Sequence, residues 1–130
     1  MKGAVELMAD AREAAGRAYA PYSRFRVGAV AIAEDGRRFI GVNVENAAYG
    51  STMCAEATAI AAAATEGVRK IDTVVVACLD ADECYPCGNC RQLMREFDVD
   101  TVVVQGPAGP VEHTLESLLP HSFGPDDLPG

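Results

Sequence analysis

The chain has 130 residues, of which 49% are apolar and 23% charged, and these fractions predict one folded domain spanning residues 1–130 rather than a disordered chain. Its formal net charge of -8 argues against a nucleic-acid partner, because that binding depends on clustered Lys and Arg side chains. No apolar stretch approaches the roughly 20 residues that span a bilayer, and no signal peptide is visible, so we expect a cytoplasmic protein without a membrane partner.

The first half of the chain has the pattern of a helix followed by a β-hairpin. Apolar residues recur at close to helical spacing over residues 5–18. Residues 27–33 form a continuous run of small apolar side chains, which suits a strand buried on both faces. Glu34-Asp35-Gly36 predicts a turn in which Asp-Gly supplies the positive φ angles, and residues 38–44 predict the partner strand.

The second half of the chain alternates between strand and helix patterns. The Ala-rich segment 54–66 predicts a helix that Gly67 ends. Strands are predicted over residues 73–79, 101–104 and 111–113, and helices over residues 88–97 and 115–118. The tail from about 120 to 130 carries three prolines and is predicted to be irregular. Helices between β-rich segments indicate an α/β fold, in which a sheet is layered with helices.

Two short segments, Cys-Ala-Glu at 54–56 and Pro-Cys-Gly-Asn-Cys at 86–90, together offer three thiolates and one carboxylate. Zinc takes thiolates in tetrahedral geometry, and a site with three protein ligands keeps its fourth position open. Cys54, Cys87 and Cys90 would then hold one Zn²⁺ per chain. Glu56 stays free as general acid and base, in the pattern of zinc deaminases. The alternative is that Glu56 is an ordinary acid in the first turn of a helix.

The cysteines allow other interpretations. Cys84, Cys87 and Cys90 are equally spaced, so a closed structural site of four cysteines that includes Cys54 is one alternative. The proline before Cys87 favours extended backbone there and directs Cys84 away from the metal. A redox dithiol at Cys87 and Cys90 is another alternative, but it leaves the third thiol without a role. Cys78 lies inside an apolar strand and is interpreted as a small core residue.

Further motifs match a known family in the same order along the chain. The matching stretches are residues 19–29, 41–50, 54–56, 86–92 and 118–123. On these stretches the chain resembles the small, zinc-dependent, homotetrameric cytidine deaminases nearly from end to end. The resemblance implies a three-layer α-β-α sandwich with a central mixed five-stranded sheet. It also implies hydrolytic deamination of cytidine and 2′-deoxycytidine to uridine and 2′-deoxyuridine plus ammonia, in pyrimidine salvage.

The resemblance also implies roles for residues that bind the substrate. Phe25 would stack on the pyrimidine, and the backbone of Ala55 would contact the base. Asn43 and Glu45 would hydrogen-bond the ribose 3′-hydroxyl, and as alternate residues of a strand they face the same side. The plain alternatives are an apolar strand residue for Phe25 and a solvated strand edge for the Asn43/Glu45 pair.

In the family, some residues of each site come from neighbouring subunits. The corresponding residues are Ala47 and Tyr49 in one loop and the aromatic Phe123, so the resemblance implies a homotetramer with shared active sites. Family members often carry Arg directly after the Cys-Ala-Glu motif, where it hydrogen-bonds the zinc thiolates, whereas this chain has Ala57. We expect helix N–H groups, together with Arg91, to supply the compensating positive charge.

Two other functions share parts of this pattern. An aminohydrolase acting on another aminopyrimidine, such as a nucleoside antibiotic, would have the same zinc motifs, whereas the Asn43/Glu45 pair favours a ribose and therefore the ordinary nucleoside. A non-catalytic, zinc-stabilised interaction domain would use Cys84 as a fourth ligand. A phosphorylated substrate is disfavoured, because the chain has no Gly-rich phosphate loop and no Arg cluster.

Overall fold

Five strands form one mixed sheet at the centre of the computed structural model, which describes residues 3–129. The strands are β1 (Val27–Ala33), β2 (Arg38–Val42), β3 (Ile71–Cys78), β4 (Thr101–Gly106) and β5 (Gly109–Thr114). Their order across the sheet is β2-β1-β3-β4-β5. The β3–β4 pair is parallel, whereas the other neighbouring pairs are antiparallel. The predicted mixed five-stranded sheet is therefore confirmed.

Helices cover both faces of this sheet. The helices are α1 (Ala4–Ala15), α2 (Ala55–Thr65), α3 (Gly88–Glu96) and α4 (Leu115–Leu118). One buried cluster joins α1 to the sheet through side chains such as Met8, Val30 and Val75. The other cluster joins α2, α3 and α4 to the opposite face through side chains such as Ile60 and Met94. Alternate residues of the inner strands thus feed two separate cores, which gives the predicted α-β-α layers.

The β1–β2 hairpin differs in detail from the prediction. Gly36 has a φ of 92°, but Asp35 is not among the residues with positive φ, so the prediction for Asp35 is wrong. The N–H of Gly36 donates to the carbonyl of Ala33 at 2.9 Å, and the N–H of Ala33 donates to the carbonyl of Arg37 at 2.9 Å. A connection closed in this way needs only one left-handed residue.

Two helices lie directly on the sheet because glycines face them. A Cβ atom on Gly28 would lie 2.0 Å from the carbonyl oxygen of Ala11 in α1. A Cβ atom on Gly41 would lie 2.3 Å from the backbone nitrogen of Ala59 in α2. Only glycine allows this close approach, and Gly41 therefore sets the distance between α2 and β2.

The other elements match their predicted positions, with ends that shift by up to a few residues. The strand predicted over 38–44 ends at Val42, and the tail contains a short 3₁₀ turn at Pro125–Asp127. Residues 1–2 and 130, the ends of the predicted domain, lie outside the described residues. Among residues 3–129, no helix is both long and apolar enough to cross a membrane.

Candidate active site

Three thiols meet where helices α2 and α3 begin. Cys54 is the residue that precedes α2, Cys87 precedes α3, and Cys90 lies in the first turn of α3. The sulfur of Cys87 is 4.0 Å from that of Cys54 and 3.7 Å from that of Cys90. All three sulfurs lie within 4.8 Å of one another. Tetrahedral Zn–S bonds of roughly 2.3 Å place two sulfurs about 3.8 Å apart, so the thiols fit one zinc ion.

Cys54 is positioned by the contacts between β2 and α2. The residue before it, Met53, pairs with Val44 through two backbone hydrogen bonds of 2.9 Å. The hydroxyl of Thr58 in α2 donates to the carbonyl of Val42 at 2.9 Å. Together with the close approach at Gly41, these bonds fix the start of α2 against the end of β2.

Arg91 positions Cys87. Its Nε donates to the carbonyl of Pro86 at 2.8 Å, and its Nη1 donates to the carbonyl of Leu118 at 2.8 Å. The side chain of Pro86 is itself fully buried. The hydrogen bonds of Arg91 thus run to carbonyl oxygens beside the thiols and not to the sulfurs. The expectation that its guanidinium offsets the charge of the thiolates stays a prediction.

The three thiols differ in their electrostatic surroundings. Burial raises the pKa of Cys90, and the neighbouring charges of Glu56 and the other cysteines add to this effect. Burial also raises the pKa of Cys54. Partial burial opposes ionisation of Cys87, but hydrogen bonds from the N–H groups of Cys90 and Asn89 and from the other thiols outweigh it and lower its pKa. The helix N–H groups thus supply part of the expected compensation, and a divalent cation suits the remaining negative charge.

Glu56 lies beside the thiols in the first turn of α2 and is only 4% exposed. Burial raises the pKa of its carboxyl group, while hydrogen bonds from its own N–H and from the Cys90 thiol act in the opposite direction. Cys54 precedes the helix with extended backbone, as the two-residue spacing to Glu56 requires. The carboxyl group and the Cys54 thiol accordingly line the same pocket.

This pocket has a volume of about 290 Å³ and opens in front of the thiols. Seven of the residues predicted for the site line it: Phe25, Asn43, Glu45, Cys54, Ala55, Glu56 and Cys87. The sequence analysis missed seven further lining residues: Ser23, Val27, Thr52, Met53, Val76, Cys84 and Tyr85. Five of these, all except Val76 and Cys84, lie within two positions of a predicted residue along the chain, and this proximity is the signal that could have found them.

Asn43 and Glu45 use part of their hydrogen-bonding capacity to hold the pocket wall. Asn43 is only 8% exposed, so it is not a solvated strand edge. Its Oδ1 accepts from the N–H of Val27 at 2.9 Å, and its Nδ2 donates to the carbonyl of Phe25 at 2.8 Å. Glu45 accepts from the hydroxyl and N–H of Ser23, which lower the pKa of its carboxyl group. Each side chain keeps acceptor or donor capacity for a ligand hydroxyl.

The structure does not bring three of the predicted substrate-binding residues into the pocket. Tyr49 is 76% exposed and lines an adjoining hollow of about 340 Å³, where its ring lies edge-on to that of Tyr22. Ala47 is exposed in the loop before it. The ring of Phe123 is 57% exposed, and its carbonyl accepts from Nε2 of Gln92 at 2.7 Å.

The two remaining cysteines lie outside the thiol cluster. Among the described residues, only Cys54, Cys87 and Cys90 form a group that could hold a metal ion, so the closed four-cysteine alternative is wrong. Cys84 is half-buried in the pocket wall, where burial raises its pKa. Cys78 is fully buried in β3, as the sequence predicted.

Comparison with known proteins gives one consistent result. Residues 1–105 match the family described as "Cytidine and deoxycytidylate deaminase zinc-binding region". The chain is 42% identical to a cytidine deaminase from Mycobacterium tuberculosis, over 95% of this chain and 91% of the relative. It is 40% identical to a cytidine deaminase from Sporosarcina psychrophila, over 95% and 93% of the two chains. The crystal structure of cytidine deaminase from Burkholderia pseudomallei superposes with a TM-score of 0.87 at 37% identity, covering 94% of this chain and all of that one.

Proposed function

Because the chain belongs to the cytidine and deoxycytidylate deaminase family, we propose that it hydrolyses cytidine and 2′-deoxycytidine to uridine and 2′-deoxyuridine with release of ammonia. The observation that carries this proposal is the group of three thiols at tetrahedral spacing, with a buried carboxyl group beside it in one pocket. The pocket volume of about 290 Å³ suits a small molecule such as a nucleoside.

Cys54, Cys87 and Cys90 would hold the zinc ion of this family. When bound, zinc acts as a Lewis acid that makes a water molecule acidic enough to attack near neutral pH. Glu56 takes a proton from the attacking water and delivers it to N3 of the cytosine ring, while the water oxygen forms a bond to C4. Glu56 then moves the second proton to the exocyclic amine, the C4–N bond breaks, and ammonia leaves. Proton transfer of this kind typically contributes 10²–10⁴-fold in rate.

The pocket lining supports binding of a nucleoside rather than a free base. The ring of Phe25 offers an apolar face for the pyrimidine, and the backbone of Ala55 lies next to the thiols. Asn43 and Glu45 present an amide and a carboxylate, which suit a ribose hydroxyl group.

The active enzyme is a cytoplasmic homotetramer in this proposal, and it serves pyrimidine salvage. Tyr49 and Phe123 support shared active sites, because both expose large aromatic rings although the backbone of each is held by hydrogen bonds. Together with Ala47, they would complete the pocket of a neighbouring subunit. The chain would fold as a single domain over residues 1–130.

The proposal is tested by incubating purified protein with cytidine and following the ultraviolet change that marks conversion to uridine. Glu56→Gln keeps the shape of the side chain but removes its acid–base function. We expect turnover in the parent protein, a loss of at least 10²-fold in the variant, and about one zinc per chain in both. Zinc loss in Glu56→Gln would show that Glu56 is a ligand, and bound zinc without turnover in the parent would exclude cytidine as substrate.

A further inference from the structure

We propose that Gln105 is a positioning residue whose side chain holds segment 81–85 as one wall of the substrate pocket. This inference rests on the proposed function of that pocket. Gln105 itself lies at the end of β4 and does not line the pocket, whereas Cys84 and Tyr85 do. Its effect on the reaction would therefore pass through these two residues.

The side-chain amide of Gln105 uses all of its hydrogen-bonding groups and is part of a residue that is 7% exposed. Its Oε1 accepts from the N–H of Cys78 at 3.1 Å and from Nη1 of Arg12 at 2.8 Å. Its Nε2 donates to the carbonyls of Ala81 at 3.1 Å and Asp82 at 3.2 Å. The oxygen of the amide thus binds the sheet and α1, while its nitrogen binds the segment.

The backbone of Gln105 adds a second contact to the same segment. The N–H of Cys84 donates to the carbonyl of Gln105 at 3.2 Å, which forms an isolated β-bridge. Residues 81–83 are exposed and belong to no helix or strand. The thiol of Cys78 lies 3.6 Å from the carbonyl of Ala81 and 3.7 Å from that of Glu83, but a thiol is a weak donor. Ordering such backbone costs roughly 1–2 kcal/mol per residue in conformational entropy, so the stronger contacts from Gln105 decide whether the segment keeps one conformation.

Other residues hold the two ends of the segment. At its start, the guanidinium of Arg26 pairs with Asp80, with Nη2 and Oδ1 2.8 Å apart. At its end, Nε of Arg91 holds the carbonyl of Pro86 at 2.8 Å, next to the metal-binding thiol of Cys87. Releasing Gln105 therefore frees the middle of the segment but leaves the thiols in place. The consequence is weaker binding of the nucleoside with zinc retained.

The side chain of Tyr85 extends this wall toward the last strand. Its hydroxyl lies 3.1 Å from Nε2 of His113 in β5, and the two rings lie 5.4 Å apart. This contact places the phenol ring beside the pocket only when the backbone before it is fixed. The contacts from Gln105 provide that fixed backbone.

Gln105→Glu tests the inference selectively. The new carboxylate still accepts from Arg12 and Cys78, but it faces the carbonyls of Ala81 and Asp82 without a donor. We expect the KM for cytidine to rise about tenfold, with kcat within about twofold and zinc at about one per chain. Hydrogen exchange of a peptide covering residues 79–86 should accelerate. The matched control is Arg12→Gln, which removes the contact on the other side of the amide and should leave KM and this exchange unchanged.

Each alternative outcome has one meaning. A Gln105→Glu protein with a lower Tm but parental KM and parental exchange in residues 79–86 would show a merely structural role and overturn the inference. If that variant does not fold, Gln105→Met removes the same donor without adding charge and is measured in the same way. A parent protein that does not deaminate cytidine would contradict the proposed function, and the exchange comparison would still decide whether Gln105 holds the segment.

Discussion

Gly41→Ala should displace helix α2 and with it the candidate active site. The added Cβ atom would lie 2.3 Å from the nitrogen of Ala59, 2.3 Å from the hydroxyl oxygen of Thr58 and 2.4 Å from the carbonyl oxygen of Ala55. Ordinary contacts begin at 3.4 Å, so the helix must move by about 1 Å. Two of these atoms belong to the helix backbone, which cannot adjust without moving the whole first half of α2.

The expected cost follows from this overlap. Overpacking in a core typically costs 1–3 kcal/mol, and contacts with helix backbone place this site at the upper end, about 3 kcal/mol. For a chain of this size the Tm should fall by roughly 10 °C. The start of α2 carries Cys54 and Glu56. A misplacement of about 1 Å at a catalytic group can cost 10²-fold, so kcat/KM should fall by about that factor.

Thermal unfolding of the variant measures the expected fall in Tm, and cytidine turnover measures the expected fall in kcat/KM. Gly3→Ala is the matched control, because Gly3 is exposed, has no atom within 4 Å of the added carbon, and lies just before α1. The control should change the free energy of unfolding by less than about 1 kcal/mol. If Gly41→Ala unfolds within about 2 °C of the parent and keeps its activity, the close approach of α2 to β2 does not control the site.

Two further outcomes are expected. Removing zinc with a strong chelator should abolish turnover and lower the Tm, because a metal ion that binds the three thiols only in the folded protein adds its binding free energy to stability. Added zinc should restore both turnover and Tm, whereas an unchanged Tm after zinc removal would show that the metal does not stabilise the fold. Hydrogen bonds from Arg26 lower the pKa of Asp80 from 3.8 to about 2. Because the pKa of Asp80 is lower in the folded than in the unfolded protein, the parent should have a larger free energy of unfolding than Asp80→Asn, by an amount that is constant above about pH 5 and disappears as the pH falls from 4 to 2. Denaturant titrations across that range measure this difference, and a difference that does not depend on pH would contradict the pairing of Asp80 with Arg26.

The sequence by itself predicted the candidate metal site. Cys54, Cys87 and Cys90 were recognisable as candidate ligands because zinc takes thiolates readily and the spacings within Cys-Ala-Glu and Pro-Cys-Gly-Asn-Cys are local features. Continuous apolar runs such as residues 27–33 likewise predicted inner strands, because a strand covered on both faces has no polar side. The order of the motifs then gave the family and its layered fold.

The tertiary structure alone decided how the pocket wall is held. The amide of Gln105 meets the guanidinium of Arg12 across 93 positions of sequence and the carbonyl of Ala81 across 24. Similarly, the amide of Asn43 binds the backbone of Phe25 and Val27. These contacts depend on which strands are neighbours and on where each strand ends. The sequence does not show which group a polar side chain will bind, because that partner is determined only when the strands pair and the helices pack on them.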